Sequence, residues 1–197
     1  DIRAVNATLL QGSHLEDEGG VLRTIQNWIG GNNVNPVGAA YVPPRPEYVL
    51  ELMEDLAQFC NTSPLPAISV AAIAHAQLET IHPFADGNGR TGRLWHTLLL
   101  AKWQEFYLWI PIETMIHERQ QDYYDALNAS NHAGESTIFV TFMLKLIRDL
   151  LKELTGGKAF PREKTIAEKI LELIQKDGTL SAAKMGELLG ISPRQVQ

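Results

Sequence analysis

At 197 residues, with 45% hydrophobic and 20% charged side chains, the chain has the make-up of one well-packed domain with room for a small appendage. Its formal net charge of −6, from 17 basic and 23 acidic residues, argues against a broad nucleic-acid-binding face but not against a small basic site. The lone Cys60 excludes an internal disulfide and points to a reducing cytoplasm, and there is neither a bilayer-spanning apolar run nor a basic-then-apolar leader.

Asp1–Gly12 reads as the tail of a helix, and because position 1 is not Met, native residues are expected upstream. Trp28–Tyr41 has a different texture. Gly30, Gly31, Gly38, Pro36 and several asparagines flank short apolar pieces, which predicts a loose β-hairpin or, on the plainer reading, a surface loop. Pro46 starts a helix whose apolar Val49, Met53, Leu56 and Cys60 are spaced by three and four. Ile68, Ala72, His75, Leu78 and His82 repeat that spacing, so both histidines fall near one stripe. Leu94, Leu98 and Ala101 predict a third helix, apolar on most sides and hence central. Ile116, Gln120, Tyr123 and Leu127 predict a fourth; Ile138, Phe142, Leu146, Leu150 and Leu154 predict a long fifth, closed by Gly156-Gly157. Further on, Thr165–Gln175, a turn at Asp177-Gly178, Ser181–Leu189 and a cap at Ser192 resemble the start of a helix-turn-helix. Two domains are therefore expected, 1–157 and 158–197. The second is either a DNA-binding or a protein-contact module, since the sequence stops within the would-be recognition helix.

Chemistry concentrates in His82-Pro83-Phe84-Ala85-Asp86-Gly87-Asn88-Gly89-Arg90-Thr91-Gly92-Arg93. A helix runs into His82 and Pro83 ends it. A tight turn through Gly87-Asn88-Gly89 follows, and a new helix begins near Gly89. Glycines allow the backbone that turns successive N–H groups inward as an anion nest. That nest lies at a helix N-terminus, where free N–H groups and the dipole favour phosphate. Arg90 and Arg93 are three apart, so both guanidinium groups reach one anion. Asp86 is placed for a magnesium ion bridging phosphate oxygens. His82 has the near-neutral pKa suited to taking a proton from an attacking hydroxyl. Phe84 reads as an apolar plug holding the loop to the core.

Gly87–Gly92 also matches G-x-G-x-x-G, but that fingerprint needs a preceding strand inside a β-α-β unit, and the preceding segment here is helical. A kinase glycine loop fails because Leu94 stands where valine is required and no HRD or DFG segment is present. No Walker lysine is present either.

The full pattern resembles the Fic family signature H-P-F-x-[DE]-G-N-G-R-x-x-R, with every fixed position filled. The likeness continues in Arg23–Gly30, Tyr41-Val42-Pro43-Pro44, Ala74-His75-Ala76-Gln77, and Tyr123-Tyr124 with Asn131, so it covers roughly Ile2 to Leu154. The resemblance implies an all-α fold: a Fic-type helical bundle with a small β-hairpin flap over 29–42 and the helix-turn-helix appendage. It implies a protein adenylyltransferase that moves AMP from ATP to a Tyr, Thr or Ser hydroxyl of a target protein and releases pyrophosphate. By the same resemblance His82 is the general base and Asp86 holds Mg2+ at the α- and β-phosphates. Gly87, Asn88 and Gly89 surround the α-phosphate, and Arg90 and Arg93 hold the β- and γ-phosphates. Thr91 and Gly92 fall within this nucleotide stretch, and Tyr123, Tyr124 and Asn131 line the adenosine pocket. Ile29, Gly30, Ala40 and Tyr41 belong to a flap that pairs with the target backbone by strand addition.

Relatives on this scaffold also move UMP, phosphocholine or a terminal phosphate, or remove AMP. The intact glycines and arginines favour a bound triphosphate, whereas lysine at position 89 would suggest the kinase-like variant. A non-enzymatic alternative, a DNA-binding regulator whose Fic portion only senses nucleotide, is opposed by the complete motif. Many family members carry an inhibitory [ST]-x-x-x-E-[GN] helix whose glutamate pairs with the second motif arginine, here Arg93. No such motif is found, and the resemblance places that helix upstream of the first residue, which predicts an autoinhibited longer form. His75 reads as a core histidine, His117 and His132 as surface residues, and Glu79 as a helix-surface residue or a partner of site residues. The four tryptophans need no cofactor to explain them. A homodimer is left open by the resemblance, and the target protein is not legible.

Overall fold

The computed structural model describes residues 1–31, 35–156, 173, 176 and 181–190. Among the described residues the chain forms α1 (Ile2–Leu10), α2 (Val49–Thr62), α3 (Ala67–Ile81), α4 (Asn88–Trp103), α5 (Ile112–Glu118), α6 (Gln120–Ala133), α7 (Thr137–Leu154) and α8 (Ala182–Leu189). There is no extended strand among them, only the isolated antiparallel bridges Leu22↔Phe84 and Ile29↔Tyr41. The all-helical expectation holds, and no described helix is long and apolar enough to cross a membrane.

The chain divides into Asp1–Leu151 and Lys152–Gln197. In the first unit α3 is the axis. Its Ala71, Ala72 and Ala76 face a cluster built from Leu100, Tyr107, α5, α6 and α7. Its Ala74, Leu78 and Ile81 face Val49, Met53 and Leu56 on α2. Alanine on both sides lets neighbouring helices approach closely, and each fully buried large apolar side chain contributes about 1.5–3 kcal/mol.

The third predicted helix, α4, packs against α1, α3 and α5 and is central as expected, but its buried side is not the one its leucines suggest. Leu94 and Leu98 are exposed, each at 39%. The buried face of α4 is instead Gly92, His96 and Leu100, spaced by four. The predicted fourth helix is two helices, because Arg119 leaves helical geometry at φ −113° between α5 and α6. In α7 the buried stripe is Phe139, Met143, Leu146, Ile147 and Leu150, while Ile138 and Leu154 face solvent.

In the second unit, Ser181 caps α8 by accepting from the Lys184 N–H at 3.3 Å, and Gly190 closes it at φ 66°. Leu173 and Lys176 are helical. The predicted turn at Asp177-Gly178, the Ser192 cap and Gly157 lie outside the described residues.

Candidate active site

α3 ends at Ile81, and His82 turns left-handed at φ 50°, ψ 59°. Among the described residues it is the one non-glycine with positive φ. The cause is local: Pro83 disfavours the α region for the residue before it. A left-handed non-glycine costs about 1–2 kcal/mol, so neighbours must hold it. Arg23 does so. Its Nε donates to the His82 carbonyl at 2.8 Å, and its Nη2 donates to the carbonyls of Ile81, at 3.3 Å, and Pro44. The Arg23 N–H donates to the Pro83 carbonyl at 2.9 Å. Arg23 is only 6% exposed, and its guanidinium satisfies the carbonyl end of α3. The turn takes the His82 side chain off the α3 stripe that the spacing predicted and into a cavity. Burial pushes the His82 pKa below its ordinary value, against the pull of the Glu79 carboxylate. The imidazole is therefore neutral at pH 7, the form that accepts a proton.

The loop after His82 is fastened from three directions. Phe84 is fully buried, as the apolar-plug reading expects. Its N–H donates to Asn88 Oδ1 at 2.9 Å, and Asn88 Nδ2 donates back to its carbonyl at 2.8 Å. Asn27 Nδ2 adds a bond to the same carbonyl at 3.2 Å. From α1, Asn6 Nδ2 donates to the Asp86 carbonyl at 3.0 Å and to Thr91 Oγ1 at 3.1 Å, while Asn6 Oδ1 accepts from the Gly20 N–H at 2.9 Å. Gly87 caps α4 at φ 77°. A Cβ on Gly92 would stand 2.7 Å from Glu79 Oε1 and 3.2 Å from the His75 ring, so glycine there lets α4 lie close against α3. Thr91 and Gly92 are both buried in this packing.

A cavity of about 190 Å3 brings together His82, Gly89, Arg93, Tyr123, Tyr124 and Asn131, with Ile29 of the flap above. Asp86 and Arg90 are paired at 3.2 Å, both about half exposed, and do not line it. Among the described residues the expected hairpin shows one bridge: the Ile29 N–H donates to the Tyr41 carbonyl at 2.9 Å, and the Ala40 N–H donates to the Ile29 carbonyl at 2.8 Å. Gly30 turns at φ 74°, and a Cβ there would stand 3.3 Å from Ala40. Tyr41 lines a neighbouring cavity of about 170 Å3 and anchors the flap by donating from its hydroxyl to the Thr80 carbonyl at 3.0 Å.

Beneath the cavity, Tyr123 is 1% exposed, its hydroxyl 3.0 Å from His75 Nε2. Burial holds that phenol well above its ordinary pKa, so it keeps its proton. His75 is a core histidine, as expected, and His117 and His132 are exposed. Glu79 is not on a helix surface: it is 8% exposed, and its Oε1 is 3.7 Å from His75 Nε2. His96, packed 5.3 Å from His75, is pushed down to about 3 by burial. Sequence reasoning missed Asn6, Arg23 as a clamp, Leu127 and Asn128 in the cavity wall, and Glu113, which accepts from Arg93 Nε at 2.6 Å. The i,i+4 spacing of Leu127 and Tyr123 was the one local signal for any of them.

An all-helical core that carries a left-handed histidine before a left-handed glycine at a helix start and two arginines fits a Fic-type domain. The Fic/DOC family model matches residues 1–100, and the chain belongs to that family. Protein adenylyltransferase fic-1 of Caenorhabditis elegans is 31% identical over 170 residues, covering 78% of this chain and 30% of that protein. Protein adenylyltransferase Fic of Aedes aegypti is 28% identical over 186 residues, covering 88% of this chain and 34% of that protein. A crystal structure of a Fic family protein from Desulfovibrio desulfuricans G20 superposes with a TM-score of 0.69 at 34% identity, covering 98% of this chain and 56% of that one. The chain thus spans about a third of the length of these curated relatives.

Proposed function

We propose that this chain transfers AMP from ATP to a Tyr, Thr or Ser hydroxyl of a target protein, with pyrophosphate leaving. The observation that carries the reading is His82, neutral and fixed at the end of α3, in one cavity with Gly89 and Arg93 at the start of α4. In the step proposed, His82 takes the hydroxyl proton as the target oxygen attacks the α-phosphorus. The bond from that phosphorus to the bridging oxygen of the β-phosphate breaks, and the electron pair departs with pyrophosphate. Backbone N–H groups at Gly87–Gly89 receive the α-phosphate, and Arg90 and Arg93 receive the β- and γ-phosphates. Positioning and charge neutralisation supply most of the acceleration, as in other phosphoryl transfers.

Asp86 suits Mg2+ that arrives with substrate phosphates, which needs only one or two protein carboxylates. Among the described residues no group of three or more His, Cys, Asp or Glu side chains is placed to hold a metal ion by itself. When bound, the ion would neutralise charge on the phosphate oxygens. Tyr124, Asn131 and the side of Tyr123 form the adenosine wall, and the Ile29↔Tyr41 bridge offers its outer backbone to an extended target segment.

The test is pyrophosphate release measured with ATP, magnesium and a candidate target, alongside the intact mass of that target. One adenylyl group added per pyrophosphate released supports the reading. A gain of phosphate alone, or of UMP from UTP but not AMP from ATP, redirects it to another transfer on the same scaffold.

A further inference from the structure

Arg93 reaches the cavity with its guanidinium already held at one corner. Nε donates to Glu113 Oε1 at 2.6 Å, with the Arg93 side chain 19% and the Glu113 side chain 63% exposed. Nη1 is turned the other way, 3.2 Å from the point a Cβ on Gly89 would occupy, against the first turn of α4. Glu113 is exposed, yet its backbone is fixed. It sits in the first turn of α5 between buried neighbours: Ile112, Met115 and Ile116 all belong to the larger core. An arginine gripped at Nε keeps a terminal amino group for another acceptor, and the planar guanidinium cannot turn without breaking the grip.

We propose that Glu113 is a positioning residue for nucleotide binding: by accepting from Arg93 Nε, it aims the outer end of the guanidinium at the β- and γ-phosphates of a bound triphosphate. This rests on the reading of the site as a triphosphate site. Two effects of the carboxylate compete. Its charge repels phosphate, but it is mostly solvated and so screened. Its tether spares the arginine the entropy of being ordered when ligand arrives. The buried anchors of α5 favour the tether. The opposite role, a carboxylate that merely competes with phosphate for Arg93, uses the same contact and predicts the opposite sign.

Calorimetric titration separates the two. ATP and AMP, each with magnesium, are titrated into the chain carrying His82→Ala to prevent turnover, with Glu113 intact, Glu113→Ala or Glu113→Gln. Loss of the tether is expected to weaken ATP about fivefold in Glu113→Ala, the cost of ordering one long side chain on binding. AMP, which has no β- or γ-phosphate, is expected to bind as before. Glu113→Gln keeps an acceptor oxygen and restores most of the ATP affinity. ATP binding that is unchanged or tighter in Glu113→Ala overturns the proposal, as does an equal loss for both nucleotides. If the chain with Glu113 intact binds neither nucleotide, the functional reading fails and the proposal with it, a result distinct from failure of Glu113 alone.

Discussion

The loop at 82–93 and the flap at 29–41 face each other across one cavity but are built by opposite rules. The loop is held by Asn6 from α1, by Arg23 and Asn27 from the connection between α1 and α2, by its own Asn88, and by Phe84 in the core. Among its described residues the flap is joined by the Ile29↔Tyr41 bridge and anchored by the Tyr41 hydroxyl. Groups that handle the phosphates and the proton need fixed geometry, because errors of an ångström cost rate. A surface that pairs through its backbone needs only an edge whose N–H and C=O groups face the partner. Rigidity is thus concentrated where bonds would change.

Breaking the loop should therefore cost far more than breaking the flap. The largest expected effect is on rate: His82→Ala should lower transfer about 10²–10⁴-fold, the usual contribution of a general base, with little change in melting temperature. Next, Phe84→Ala should destabilise the fold by about 3–5 kcal/mol in denaturant titration, because it empties a fully buried site. Asn6→Ala should cost about 1–3 kcal/mol, because it strips partners from the buried Gly20 N–H and Thr91 hydroxyl. On the flap, Tyr41→Phe removes one bond to Thr80 and should cost only about 1 kcal/mol while weakening transfer to a protein target. A loop and a flap of equal sensitivity would erase the contrast.

Acid exposes a further difference. His96 titrates near 3 in the folded chain but near 6.5 when unfolded, so between those values the unfolded state binds the extra proton. Its contribution is complete above about pH 6.5 and falls by about 1.4 kcal/mol per unit as pH drops toward 3. His96→Leu should flatten that part of a stability-against-pH curve. His82, also held below its ordinary value, should give an acid limb in kcat/KM below the usual histidine range.

How much of this was legible depended on range. The twelve-residue stretch carried its meaning because base, nest and arginines are sequence neighbours, so spacing alone brings them together. α2 and α3 were legible as periodic stripes, and α7 as a helix, though its buried stripe runs through Phe139 and Met143 rather than Ile138 and Leu154. The buried face of α4 was not, because hydrophobicity favoured Leu94 and Leu98, while tertiary packing chose Gly92 and His96. The break at Arg119 carries neither proline nor glycine. Asn6 meets Asp86 across 80 positions and Arg23 meets His82 across 59, contacts that no local pattern encodes.

The most direct test of the central claim is incubation with magnesium and ATP labelled at the α- or the γ-phosphate, using a protein target and both wild type and His82→Ala. Adenylyl transfer with His82 as base gives protein-bound label from the α position only, and its loss in the variant. Label from the γ position, or α label that survives His82→Ala undiminished, would contradict it.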